Sequence, residues 1–114
     1  MKYRSSIIES SAALEISVEK KLIQKMKEKS MTEEEISKEL GKTITNFTQR
    51  CDHFMKKYTG VSFVKEKPKL WNKIDIDRKN YRHKIAHSDL KPTKKETEKI
   101  INDFEEAIKY IEGL

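Results

Sequence analysis

Apolar residues at Ile7, Ile8, Leu14, Val18, Leu22 and Met26, with Ser11, Ala12 and Ala13 among them, recur at helical spacing over the first segment of the chain. The pattern predicts a helix of roughly six or seven turns. Small side chains fill its front half and charges crowd its back half, so the front half is expected to be the packed part. Thr32 followed by Glu35 is a capping box, in which each side chain satisfies an N–H group of the helix start. It opens a short peripheral helix that reaches Leu40 and stops at Gly41. Phe47, Cys51, Phe54, Met55 and Tyr58 then share one side of a helix expected over 45–58, with Gly60 as its stop.

Val61-Ser62-Phe63-Val64 has the composition of a strand, yet nothing else in the chain offers it a partner, so it is expected to be an extended connection. Pro68 suits a first helical turn, and Leu70, Trp71, Ile74 and Tyr81 repeat behind it at helical spacing as far as Arg82. Ser88-Asp89-Leu90-Lys91-Pro92 makes a loop. A second capping box, Thr93 with Glu96, opens a final helix carrying Ile100, Ile101, Phe104, Ala107, Ile108 and Ile111 and ended by Gly113. The elements add up to an all-α chain, a small bundle of four to five helices with a long first helix. No linker, repeat or low-complexity tract divides 1–114, so a single domain is expected.

Composition changes this picture in three ways. At 114 residues and 35% hydrophobic content the core is modest, which favours an oligomer that buries leftover apolar surface, most simply a two-fold homodimer. Lys and Arg number 25 against 19 Asp and Glu, a balance of +6 that attracts polyanions such as RNA, although abundant Lys with nearly as much Glu also describes the solvated face of ordinary helices. The one cysteine, Cys51, excludes an intramolecular disulfide and a Cys-rich zinc cluster, which fits a reducing, cytoplasmic setting. No apolar run approaches a membrane span, and the first residues lead into an amphipathic pattern rather than a signal-peptide core.

Candidate chemistry concentrates at Arg82-His83-Lys84-Ile85-Ala86-His87, which holds two of the three histidines beside an arginine. RNA carries its own nucleophile, the 2′-hydroxyl, so its cleavage needs a base for that proton, an acid for the leaving 5′-oxygen and a cation for phosphate charge. His and Arg supply all three without a metal or other cofactor. Residues five apart on an ideal helix point roughly 140° apart, however, so Arg82 and His87 converge only if the helix stops or unwinds near Ile85-Ala86, or if a symmetry mate contributes a second motif.

These residues resemble the signature of the HEPN domains (higher eukaryotes and prokaryotes nucleotide-binding), which is Arg, a polar residue, three others, then His. Here it reads Arg82, His83, Lys84-Ile85-Ala86, His87, followed by Ser88-Asp89 and by Pro92-Thr93 leading into the last helix. The opening helix, from Ile7 to Glu15, is also similar to that of the group. The resemblance implies a helical bundle that pairs through its motif-bearing helices and cuts RNA without metal at the shared groove. It implies Arg82 as the phosphate cation, His87 as the acid or base and His83 as the orienting polar residue, with Glu15 or Glu9 bracing Arg82. Members serve as toxins restrained by antitoxins, in phage defence and in RNA processing. Some of the toxins carry a tyrosine two residues after the last His, where this chain has Asp89.

Blander readings stand beside these. His87 at a helix end also answers the helix dipole as a C-cap cation. His83 and His87, four apart, have a spacing that grips metal, but a third ligand is lacking nearby. Arg78 and Lys84 are candidates to bind the RNA backbone, as is Lys79, and each is equally a solvated charge. Trp71 and Tyr81 can stack on bases or fill the core, and His53 reads as a surface or half-buried residue. The alternative function is a HEPN-like module without catalysis, serving dimerisation or the binding of a nucleotide or partner. A general basic RNA-binding protein is a further one.

Overall fold

The computed structural model describes residues 3–41, 46–82 and 93–114. Among the described residues every regular element is helical. They are α1 (Tyr3–Glu28), α2 (Glu33–Leu40), α3 (Phe47–Gln49), which passes through a first π turn (Arg50–Phe54) into α4 (Met55–Thr59), α5 (Phe63–Glu66), α6 (Pro68–Asp77), which runs into a second π turn (Arg78–Arg82), and α7 (Lys94–Glu112). The small all-α bundle with a long first helix read from the sequence is what is found.

α1 is about 39 Å long at 1.5 Å per residue. Its buried stripe is Ile7, Ser11, Leu14, Val18, Leu22 and Met26, spaced four or three apart as one face of a helix requires. That face packs chiefly on α7, whose Ile100, Phe104, Ala107 and Ile111 are buried in the same way. Lys21 Nζ donates to the carbonyl of Glu112 at 3.0 Å, so the end of α7 lies beside the back half of α1. The front half of α1 is packed through Ile7, Ser11 and Leu14, and the packing continues through the back half, where Val18, Leu22 and Met26 are wholly inaccessible. Charges in the back half mark only its outer face, and they say nothing against burial of the inner one.

Both capping boxes form. Thr32 Oγ1 accepts from the Glu35 N–H at 3.1 Å while Glu35 answers the Thr32 N–H at 3.0 Å, and Thr93 and Glu96 repeat the arrangement. A Cβ on Gly41 would stand 2.6 Å from the Ser37 carbonyl oxygen, so the end of α2 requires glycine. Gly60 ends α4 at φ 87°, in the left-handed region that other residues enter at a cost.

The stretch from Val61 to Val64, expected to be an extended connection, is helical from Phe63 onward. Ser62 caps α5 by accepting from the Lys65 N–H at 3.3 Å, and its hydroxyl donates to Asp52 Oδ1 at 2.5 Å. Phe63, fully buried, meets Trp71 and Tyr110 edge to face with ring centroids 5.7 and 5.3 Å away. A short apolar run has no period of its own to distinguish strand from helix, and the cap at Ser62 settles it. Phe63→Ala is therefore expected to cost about 3–5 kcal/mol in urea unfolding, against about 1 kcal/mol for half-buried Val61→Ala. Equal small losses would return the segment to a connection.

Candidate functional site

Arg82 ends the second π turn, so the site is built from α6 outward. Pro68 opens α6, and Trp71 and Ile74 turn its inner face into the core. Phe47 stacks on Trp71 at 5.9 Å, and Arg78 lays its guanidinium over the same Phe47 ring, 3.9 Å from its centroid. Such a cation over an aromatic face is worth roughly 0.5–2 kcal/mol as water is excluded. Arg78 Nη2 also donates to Glu15 Oε1 on α1 at 2.5 Å, with the Arg78 side chain only 13% exposed. The second π turn is thus tied to α1 by an ion pair and to α3 by a stack.

This arrangement sorts the residues expected at the site. Arg78, a candidate for the RNA backbone, faces inward, and its charge is committed to Glu15 and Phe47. Glu15, expected to brace Arg82, is paired with Arg78, four residues earlier. Glu9, the other candidate brace, is exposed. Lys79 is exposed and paired with Asp75 at 3.0 Å. His53 lies exposed on the first π turn, its ring 5.5 Å from that of Phe54. The backbone of Arg82 belongs to the second π turn, while His83, Lys84 and His87 lie outside the described residues. Trp71 is a core residue, as its spacing with Leu70 and Ile74 allows.

Beside the Arg78 anchor runs a cleft of about 420 Å³ lined by Ile7, Ile8, Ser11, Ala12, Asp77 and Arg78, with Glu15 and Phe104 completing it. Asp77 brings to it a feature that the sequence reading passed over. Asp77 is 6% exposed and Asp103 on α7 is 7% exposed. Burial, and then the neighbouring Asp103 as hydrogen-bond acceptor for the protonated form and as a like charge, push the Asp77 carboxyl up to about 6, while Lys99 and Lys73 pull the other way. The signal is present in the helical phase. Asp77 follows Trp71 and Ile74 at steps of three, and Asp103 sits between Ile100 and Ala107, so both polar residues fall on apolar faces.

Cys51 is fully buried at the first π turn, near both Arg50 and Arg78. Burial pushes its thiol up to about 12 even though both guanidinium groups favour the thiolate, so it is no nucleophile at neutral pH. Among the described residues no three His, Cys, Asp or Glu side chains gather as a metal site, and no helix is long and apolar enough to cross a membrane.

No family model, curated protein or solved structure matches the chain. Its functional reading therefore rests on the motif and on the geometry that surrounds it.

Glu15 and Glu9 provide a direct check of the anchor. Glu15→Gln is expected to lower stability by about 1 kcal/mol, a value already reduced for the 36% exposure of the Glu15 side chain, and part of that loss should vanish in high salt. Glu9→Gln is expected to stay within about 0.5 kcal/mol in the same urea titration. A larger effect at Glu9 would mean that the pair with Arg78 does not hold the turn.

Proposed function

We propose that this chain is a metal-independent endoribonuclease of the HEPN type, acting as a homodimer whose two motifs meet at one groove. The observation that carries the reading is the position of Arg82. It closes a π turn anchored one helical turn earlier by Arg78, Glu15 and Phe47, in an all-helical bundle and directly ahead of the two motif histidines. A phosphate-binding arginine works best on a rigid element, because a cation aimed in advance at developing charge needs no reorganisation during reaction. Departures from α geometry of this kind also recur at functional sites.

In the proposed reaction one His87 takes the 2′-hydroxyl proton, O2′ attacks phosphorus, and the P–O5′ bond breaks as the His87 of the second copy protonates the leaving oxygen. The products are a 2′,3′-cyclic phosphate and a 5′-hydroxyl. Arg82 neutralises the phosphorane oxygens and His83 orients the site. Support for the dimer comes from apolar surface left outside the core. Ile8, Ile16 and Ile76 are 49%, 52% and 55% exposed, and Ile8, Ala12 and Ile16 stand four apart along one face of α1. The net charge of +6 suits a polyanionic substrate. An RNase of this kind needs restraint, so an antitoxin or a larger defence complex is the proposed partner, with Lys84 on the RNA backbone.

The test is cleavage of a mixed-sequence, end-labelled RNA in EDTA by the wild type, Arg82→Ala and His87→Ala, with mass followed on a sizing column. Cutting to cyclic phosphate ends, slowed by roughly 100-fold or more in each variant while RNA binding persists in His87→Ala, is the expected result. A dimeric wild type that leaves RNA whole would replace this reading with that of a non-catalytic dimerisation or partner-binding module. Cleavage that survives His87→Ala would remove the motif from the chemistry.

A further inference from the structure

Asp77 at the end of α6 and Asp103 in the middle of α7 are interacting neighbours where the two helices pack, and Oδ2 of each lies buried with no hydrogen-bond partner among the described residues. Ionised carboxylates are acceptors only, so two of them side by side cannot bond each other, and in a dry site their like charges repel. One proton placed between them removes both faults at once. It converts two orphaned acceptors into an O–H···O⁻ bond and leaves a single charge.

The other groups around the pair do not supply that proton or replace it. Lys73 on α6 and Lys99 on α7 act on it through their charge. Arg78, next along the chain, turns its guanidinium to Glu15 and Phe47. α1 brings Ser11, Ile7 and Glu15 to the same cleft, and α7 brings Phe104. Among the described residues no cation is bonded to the two orphaned oxygens, so the lysines moderate the charge of the pair without satisfying it.

We propose that Asp77 and Asp103 form a proton-sharing latch that fastens α6 to α7, holding firmly while one proton is shared between them and weakening when that proton is lost. α6 leads into the π turn that ends at Arg82, so the latch sets how firmly that turn is held to the bundle. Its direction with pH comes from linkage. A carboxyl held near 6 in the folded chain and near the ordinary 3.9 in the unfolded one keeps its proton on folding over that interval. The stabilisation is complete below about pH 4 and is lost as pH rises through about 6, opposite to the course of a salt-bridged aspartate.

The experiment reads the side-chain carboxyl carbons of ¹³C-labelled protein by NMR, together with thermal melts, from about pH 4.5 to 8 for the wild type, Asp77→Asn and Asp103→Asn. In each variant an amide N–H stands where the shared proton stood and donates to the remaining carboxylate. The wild type is expected to show an aspartate carboxyl titrating near 6 and a folding constant that falls by up to about tenfold per pH unit below that point. Asp77→Asn should remove that titration, Asp103→Asn should lower it towards the ordinary aspartate range, and both should flatten the profile and melt above the wild type at about pH 7.5. Comparison with the variants cancels the contribution of the three histidines. An absence of any wild-type carboxyl titrating above about pH 5, or an unchanged slope in both variants, overturns the latch. Should one variant fail to fold, the wild-type titration and the other variant still decide. No RNA enters the measurement, so its outcome is separate from that of the ribonuclease reading.

Discussion

One stripe along α1 sets the terms for the whole bundle. A helix of 26 residues with a single apolar face has to cover about 39 Å of that face, and no other described element is long enough to do so alone. α7, with 19 residues, takes the largest share, burying Ala107 in the same row as Ile100, Phe104 and Ile111. α4 and both π turns dock on the remainder. The shorter elements are stabilised mainly by this docking, because a helix of four or five residues is not stable in water by itself.

Where α6 joins the bundle, the core becomes polar, and that choice has a physical cost. Burying a guanidinium or a carboxylate is unfavourable unless charge and hydrogen bonds are supplied in compensation. Arg78 obtains an ion pair from α1 and a ring face from α3, so its burial also ties the turn to two helices at once. Asp77 obtains compensation from a second acid. The neighbouring residues Asp77 and Arg78 thus face different solutions within one cleft, and together they join α6 to α1, α3 and α7.

Much of this fold is legible in the sequence because its signals are local. Capping boxes at Thr32 and Thr93, Gly41, Gly60 and Pro68 fix where elements start and stop through chemistry that involves only nearby residues. The periodicity of Leu14 to Met26 and of Ile100 to Ile111 fixes which face turns inward. The illegible parts depend on contacts distant in sequence. Phe63, expected in an extended connection, shows its burial against Trp71 and Tyr110 only in the fold, and Glu15, expected to brace Arg82, meets Arg78 only when the two helices are set side by side. The buried acids are visible in phase but not in partnership, since an aspartate on an apolar face says nothing about which second residue meets it. Of the candidate site, the residue types are legible from Arg82 to His87, while the anchor behind Arg82 comes only from the fold.

The second π turn bears on how that motif can work. An unbroken α-helix separates Arg82 and His87 by about 140°, and unwinding near Ile85-Ala86 is one way to bring them together. α geometry is in fact given up earlier, at Arg78, where hydrogen bonds reaching five residues instead of four widen the turn as far as Arg82. The anchor coincides with the start of that departure. Glu15 and Phe47 fix Arg78 from two sides, Asp77 beside it is fixed by α7, and a backbone held at two consecutive residues by three different helices has little freedom to keep the ideal pitch. The same few side chains thus both stabilise the bundle and hold the turn whose backbone ends at Arg82.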